Sequence, residues 1–184
     1  YLVTLHGIFK RAARVYGLPR NPVTHVERPR LPRRAGIDVL SREEVMALVR
    51  AAESEEDGVL YLTGAFTGLR LGELLALRWE DVDFEADAIR VRRNFTAGNE
   101  GTPKSGRGRA VPMMEEVAQA LARHGRRERF TGDQDLVFCD PLGRHLAYKS
   151  LSRRYEEALE RAELRELRFH DLRHTFGTHA IRHA

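Results

Sequence analysis

The chain has 184 residues, of which 42% are hydrophobic, and this is enough for one well-buried core with a small appendage. No apolar run approaches the ~20 residues that a membrane-spanning helix needs, and the N-terminus lacks the apolar region of a signal peptide. The single cysteine, Cys139, excludes an internal disulfide and predicts a reducing, intracellular compartment. It follows the apolar run 136–138, so we interpret it as a small core residue.

The net charge of +4 is distributed unevenly along the chain. Residues 1–34 hold eight Lys or Arg and one acidic residue, which gives +7, whereas residues 35–184 hold 23 basic and 26 acidic residues, which gives −3. A basic N-terminal arm on a nearly neutral body indicates either contact with a polyanion or a solvated linker. Charge alone does not separate these two readings.

The N-terminal segment predicts a helix followed by a linker. Residues 2–16 repeat apolar side chains with the spacing of an amphipathic helix, and Gly17 is suited to end it. Residues 18–37 contain four prolines among basic residues, a composition typical of an extended linker. We therefore expect residues 1–17 to be the last piece of a preceding domain, and residues 38–184 to form the main domain.

The main domain is predicted to be mainly α with a small antiparallel β-sheet, an α+β fold. It begins at Ser41, which forms a capping-box sequence with Glu44. Residues 88–93 alternate like a half-buried strand, with 109–112 as the expected partner after a turn region. Segment 136–138 is too short to classify. Further helices are predicted over residues 58–67, 71–78, 114–127, 148–162 and 171–182.

The first cluster of chemically interesting residues is the segment 67–74, Thr-Gly-Leu-Arg-Leu-Gly-Glu-Leu. Gly68 favours a break between helices, which places Arg70 at the start of the next helix with Glu73 one turn on. An arginine steered by an acid at a helix N-terminus is suited to hold a phosphate. The alternative is that Arg70 and Glu73 form an ordinary ion pair within one helix, which the same sequence also allows.

The second cluster is the glycine-rich segment 101–112, which carries Lys104, Arg107 and Arg109. Such a loop could enter a DNA groove or neutralise phosphates, or it could be a basic hairpin tip in solvent. It is not a P-loop, because GxxxxGK[ST] is absent.

The third cluster is Arg-Phe-His-Asp-Leu-Arg-His-Thr-Phe-Gly-Thr-His, residues 168–179. His170 and Arg173 are predicted to share a helical face, with Phe169, Leu172 and Phe176 on the buried face. We expect no metal site, because HExxH is absent and the histidine pairs lack a third ligand.

These three motifs, in this order, resemble the tyrosine recombinase (phage integrase) family over residues 38–184. The resemblance implies the integrase catalytic-domain fold, with residues 1–17 as the last helix of the family's core-binding, SAM-like domain. It also implies site-specific DNA strand cleavage and rejoining through a 3′-phosphotyrosyl intermediate, without a metal or other cofactor. Expected partners are double-stranded DNA at a recombination core site and other recombinase subunits in a synaptic tetramer, in a cytoplasmic, nucleoid-associated setting.

The resemblance assigns roles to particular residues of this chain. Arg70 and Arg173 match the pair that binds the phosphate oxygens, Lys104 the β-turn general acid, and His170 the first residue of the HxxR motif. Supporting roles fall to Glu73, which orients Arg70, and to Asp171, His174 and Thr175 in shaping the last helix. Expected DNA-backbone contacts are Arg33, Arg34, Arg107 and Arg109.

The nucleophile is the one part that we cannot assign. The family's tyrosine follows HxxR by a few dozen residues, and the sequence ends eleven residues after Arg173, at Ala184. The five tyrosines (Tyr1, Tyr16, Tyr61, Tyr148 and Tyr155) all precede the motif, and we interpret them as packing residues. We therefore expect a catalytic domain truncated before its nucleophile; the alternative is a DNA-binding recombinase remnant or accessory protein. A type IB topoisomerase shares the chemistry but fits these motifs less well.

Overall fold

The computed structural model of the chain describes residues 1–26, 38–103 and 108–176, which fall into two units, Tyr1–Gly36 and Ile37–Ala184. In the first unit, helix α1 spans Leu2–Tyr16 and ends at Gly17, whose φ of 68° lies in the left-handed region. This confirms the predicted helix and its end, because glycine adopts that conformation without steric cost. Among the described residues no helix is long and apolar enough to cross a membrane.

The second unit is built around one central helix. Helix α3 spans Glu55–Thr67, and every residue from Asp57 to Thr67 is buried, as expected for a helix enclosed on all sides. Before it, α2 (Arg42–Arg50) begins with the predicted capping box: the Ser41 hydroxyl accepts from the Glu44 amide, and the Glu44 carboxylate accepts from the Ser41 amide at 2.6 Å. The remaining helices are α4 (Leu71–Leu75), α5 (Glu115–His124) and α6 (Tyr148–Arg161).

A small antiparallel sheet covers one part of this core. Its strands are β1 (Val82–Asp83), β2 (Ala88–Val91) and β5 (Arg109–Pro112), in the order β1-β2-β5. Ile89 pairs with Val82 on one side and Val111 on the other, and all three are buried. The predicted pairing of β2 with residues 109–112 is confirmed, and so is the mainly α fold with a small antiparallel sheet.

A second hairpin lies between β2 and β5, where the sequence indicated only a turn region. Strands β3 (Asn94–Thr96) and β4 (Asn99–Gly101) are joined by Ala97 and Gly98, both with positive φ (52° and 82°). Positive φ at both central residues matches the twist of a two-residue hairpin. The hairpin packs on α4 at Gly72, where a Cβ would lie 2.7 Å from the Phe95 carbonyl oxygen and closer still to Asn94 Oδ1.

Several predicted boundaries were wrong. Helix α4 ends at Leu75 rather than at residue 78, because the chain turns to form a bridge between Arg78 and Leu136, while the Val137 amide donates to the Leu77 carbonyl at 2.9 Å. Helix α3 starts three residues before the predicted 58, β2 stops at Val91, and α5 ends at His124. The last motif opens with a 3-10 turn, Phe169–Asp171, and is helical over 172–176; residues 177–182 lie outside the described residues.

The core joins α3 to α6 and to the last motif. Asp57 is buried and accepts two hydrogen bonds from Arg154, from Nε at 2.7 Å and Nη2 at 3.0 Å. The rings of Tyr61, Tyr155 and Phe169 pack edge to face, with centroids 5.2–6.2 Å apart. Cys139 is buried, as predicted. The packing role predicted for the tyrosines was wrong in three cases, since Tyr1, Tyr16 and Tyr148 are exposed.

Candidate functional site

Arg70 and Glu73 occupy the junction between α3 and α4. Gly68, with φ 60°, ends α3, and Arg70 then caps α4 with Glu73 at the third helical position. The Glu73 carboxylate accepts from the Arg70 backbone amide at 2.9 Å through Oε2 and from Arg70 Nη1 at 3.0 Å through Oε1. The arginine therefore stands at the helix start, with its rotamer held by the acid one turn on.

A second arginine reaches the same carboxylate from the sheet. Arg109, the first residue of β5, donates from Nη1 to Oε1 at 2.8 Å and from Nη2 to Oε2 at 2.7 Å. The Glu73 side chain is 0% exposed. Burial acts to raise its pKa, but the hydrogen bonds from Arg109 and Arg70 outweigh that effect and lower the pKa to about 2. Glu73 is therefore an ionised, fully hydrogen-bonded anchor and not a proton donor or acceptor near neutral pH.

The third arginine, Arg173, is placed differently. Its side chain is half-buried, and its Nη1 is enclosed with no hydrogen-bond partner among the described residues. Its pKa is lowered, first by burial and then by repulsion from Arg70 and Arg109. A buried guanidinium nitrogen without an acceptor is costly, and an anionic ligand would remove that cost.

Arg173 and Arg109 line an open cavity of about 340 Å³. Its walls also include Thr67, Gly68 and Phe176, together with the β5 segment after Arg109. Phe176 lies against Gly68 so closely that a Cβ there would be 2.6 Å from its Cδ1. Only glycine therefore permits both the left-handed turn and this contact.

The segment that carries Arg173 is fixed from both sides. Leu172 is buried in the core, and Thr175, also buried, accepts a hydrogen bond from the Leu40 amide at 3.1 Å through Oγ1. Asp171 accepts from the Arg168 amide and guanidinium at 3.1 Å, which closes the preceding 3-10 turn. The predicted burial of Phe169 and Leu172 is confirmed, whereas Phe176 is only half-buried.

The predicted histidines lie beside this segment. His170 is exposed, and its ring meets that of His174 edge to face with centroids 6.1 Å apart. His170 is the second residue of the 3-10 turn Phe169–Asp171, which continues without a break into the helix that carries Arg173 three residues later. No group of three or more His, Cys, Asp or Glu suited to a metal occurs in the part of the chain that the structure describes.

Four of the other predicted site residues lie outside the described residues: Lys104, Arg107, Arg33 and Arg34. Arg109 is described, and both of its terminal nitrogens are engaged by Glu73. Sequence reasoning missed this ion pair, because its partners are 36 residues apart in the chain and meet only through tertiary packing.

Three guanidiniums and one carboxylate thus define the electrostatics around the cavity. Glu73 uses one of the five N–H donors of Arg70 and two of those of Arg109, and the Arg173 Nη1 has no acceptor among described residues. Planar guanidinium forks match the oxygens of a phosphate. The arrangement is therefore chemically suited to a tetrahedral oxyanion.

Comparison with known proteins gives the family of this domain. Residues 38–184 match the model of the phage integrase family. The match covers well over half of the sequence, so the chain belongs to the phage integrase family.

Individual relatives agree with this placement. A "Tyrosine recombinase XerC-like" protein of Caldanaerobacter subterraneus subsp. tengcongensis is 31% identical over 167 residues, covering 77% of this chain and 43% of that protein. The "Putative defective protein IntQ" of Escherichia coli K12 is 27% identical over 203 aligned positions, covering 96% of this chain and 51% of its own length. The chain thus spans about half of the length of the curated relatives that it matches.

A solved structure shares the fold. The Tn1549 transposon integrase, in complex with circular intermediate DNA, superposes with a TM-score of 0.73 at 22% identity, covering 100% of this chain and 66% of that chain. At this identity the likeness concerns the fold.

Proposed function

We propose that this chain carries the phosphate-activating part of a site-specific DNA recombinase, which cleaves and rejoins DNA strands through a 3′-phosphotyrosyl intermediate. The observation that supports it best is the enclosed, unpartnered Nη1 of Arg173 at a cavity shared with Arg109, with Arg70 close enough to lower the Arg173 pKa. Membership of the phage integrase family supports the reaction class.

In this proposal the arginines stabilise the transition state. Arg70 and Arg173 donate to the two non-bridging oxygens of the scissile phosphate, where negative charge grows as the fifth bond to phosphorus forms. Because these donors are already held by Glu73 and by the packing of residues 172–176, little reorganisation accompanies the reaction. Removing one such donor typically lowers the rate by ~10²–10³.

Proton transfer is assigned to two further residues. Lys104 would protonate the departing 5′-oxygen, and His170, which is exposed, would contact the phosphate or move the proton of the nucleophile. We assign no nucleophile within this chain. Tyr61 and Tyr155 are enclosed in the core, where burial raises the pKa of both phenols.

The proposed partners follow from the reaction. They are double-stranded DNA at a core site and further recombinase subunits, in the cytoplasm at the nucleoid, with no cofactor. The basic segment 18–37, with Arg33 and Arg34, and the loop residue Arg107 would contact the DNA backbone. Helix α1 would belong to the family's core-binding domain, with residues 38–184 as the catalytic domain.

The rejoining half-reaction tests the proposal without requiring a tyrosine. The substrate is a nicked duplex with a 3′-(p-nitrophenyl phosphate) and a 5′-hydroxyl at the nick, randomised on both flanks because the target sequence is unknown. The 5′-oxygen attacks phosphorus, the P–O bond to the aryl group breaks, p-nitrophenolate leaves, and the hydroxyl proton passes to a base or to water. Ligated strands are amplified and sequenced, which also reports the preferred site.

The expected result is ligation well above the buffer rate. Arg70→Gln and Arg173→Gln should each lower the ligation rate by ~10²–10³, whereas Lys149→Gln, at an exposed position of α6, should leave it unchanged. A wild-type rate no higher than buffer on every sequence in the pool refutes the proposal.

The same assay distinguishes the proposed recombinase from the second candidate function, that of a DNA-binding remnant or accessory protein. The similarity, over 96% of this chain, to the protein named "Putative defective protein IntQ" is the observation that favours it. That function predicts salt-sensitive DNA binding without ligation. The Arg70→Gln and Arg173→Gln variants would then change only the affinity for DNA.

A further inference from the structure

We propose that Arg109 is a positioning residue of this site, which acts by holding Glu73 and thereby keeps Arg70 and Arg173 available to the phosphate. The inference deepens the proposed function and rests on it. It replaces the direct DNA-backbone contact that the basic loop sequence predicts for Arg109.

The geometry of Arg109 leaves it little freedom to contact DNA. Both of its terminal nitrogens donate to Glu73, at 2.8 and 2.7 Å, one to each oxygen. Its backbone belongs to the β2-β5 ladder, in which Arg109 pairs with Val91. A two-pronged ion pair between a strand and a buried carboxylate is a rigid arrangement, because both partners are fixed by their own elements.

The carboxylate needs this partner. Glu73 is 0% exposed, and of the four hydrogen bonds that it receives from described residues Arg109 supplies two. Arg70 supplies the other two, one of them from its backbone amide. Without Arg109, each Glu73 oxygen would keep a single donor, and burial would act on the carboxylate with less to oppose it.

Arg173 is the group that would respond. It carries an enclosed Nη1 without an acceptor among the described residues, and of the described charges that act on it Glu73 attracts it whereas Arg70 and Arg109 repel it. With Arg109 removed, the repulsion by Arg109 disappears and the under-bonded carboxylate attracts Arg173. An Arg173 drawn onto Glu73 would be lost to the phosphate. Arg109 therefore saturates the carboxylate so that Arg173 stays directed to the ligand.

A positioning role and a DNA contact predict different measurements. When a residue that neutralises a DNA phosphate is removed, the slope of log affinity against log salt concentration becomes less steep by about 1. A residue that acts through Glu73 leaves that slope and the affinity unchanged but lowers the rate of ligation. It also loses its effect when Glu73 is already neutral, because coupled residues are non-additive.

The experiment compares the wild type with four variants: Arg109→Met, Arg109→Lys, Glu73→Gln and the Arg109→Met/Glu73→Gln double variant. For each protein we measure the ligation rate, the pH profile of that rate, and the DNA affinity over a salt series. The matched control is Arg90→Met, because Arg90 lies on the adjacent strand and pairs with Asp83 at an exposed position. We expect Arg109→Met to lower the ligation rate ~10²-fold with an unchanged salt slope. Arg109→Lys should recover part of that rate, and the double variant should be no slower than Glu73→Gln alone.

A second readout does not depend on catalysis. The Glu73 carboxyl carbon, observed by NMR in protein labelled with ¹³C-glutamate, should titrate near 2 in the wild type and at a higher pH in Arg109→Met. If the wild type fails to ligate DNA but this shift is seen, the proposed function fails and the Arg109–Glu73 coupling stands. A salt slope reduced by about 1, additive effects in the double variant, or a Glu73 titration unmoved by Arg109→Met would each overturn the inference.

Discussion

Replacing Glu73 by glutamine should destabilise the protein in a pH-dependent way that identifies the buried carboxylate as its cause. Lowering the Glu73 pKa from 4.5 to about 2 corresponds to roughly 3 kcal/mol of stabilisation of the ionised form, at about 1.4 kcal/mol for each pH unit. Because the folded-state pKa lies below the ordinary value, this stabilisation is complete above pH 4.5 and is lost as the pH falls toward 2. Glu73→Gln should therefore lower the free energy of unfolding by up to roughly 3 kcal/mol at neutral pH.

The measurement is urea unfolding of the wild type and the Glu73→Gln variant, followed by circular dichroism, from neutral pH down to about 3. Taking the difference between the two proteins at each pH cancels the titration of all other carboxylates. We expect a constant difference down to about pH 4.5, which then narrows as the pH falls. A difference that does not change with pH, or a variant as stable as the wild type at neutral pH, would refute the reasoning.

Three further predictions concern the supports of the site, each measured as the free energy of unfolding. Gly72→Ala should cost ~1–3 kcal/mol, because the methyl group would collide with β3, whereas Gly101→Ala, with open space around it, should cost far less. Gly68→Ala should cost more than the ~1 kcal/mol that a positive φ alone costs, because the new methyl group would also collide with the Phe176 ring. An unchanged stability would contradict this contact. Asp57→Asn should cost ~3–5 kcal/mol, because it removes the buried carboxylate that neutralises the half-buried Arg154, whereas Arg153→Ala, in an exposed pair, should change stability by less than ~0.5 kcal/mol.

The local part of the site was predictable from sequence because its determinants are local. Gly68, Arg70 and Glu73 lie within six residues, and a glycine break followed by an acid at the third helical position specifies the junction by itself. The same holds for the capping box at Ser41 and for the end of α1 at Gly17. In each case the chain segment contains both partners of the interaction.

The parts that were missed depend on contacts between distant segments. The hairpin β3-β4 lacks an alternating apolar pattern; it is held by its fit against Gly72 and by the stacking of Phe95 on His145, with ring centroids 3.9 Å apart. Helix α4 ends early because Leu77 is drawn into pairing with Val137. Tertiary contacts override local helix propensity at such points, and periodicity cannot reveal them.

The Arg109–Glu73 pair also joins distant segments, and it gives a reason for the presence of an acid in the proposed phosphate-binding site. Arg70 and Arg109 both repel Arg173, as the lowered pKa of Arg173 reflects, and one buried carboxylate reduces the formal charge of the three guanidiniums from three to two. A phosphodiester carries one negative charge, and its five-coordinate transition state about two, so the remaining charge matches the transition state better than the ground state. In the proposed reaction, Glu73 would therefore act without touching the substrate, by setting both the direction and the total charge of the groups that do.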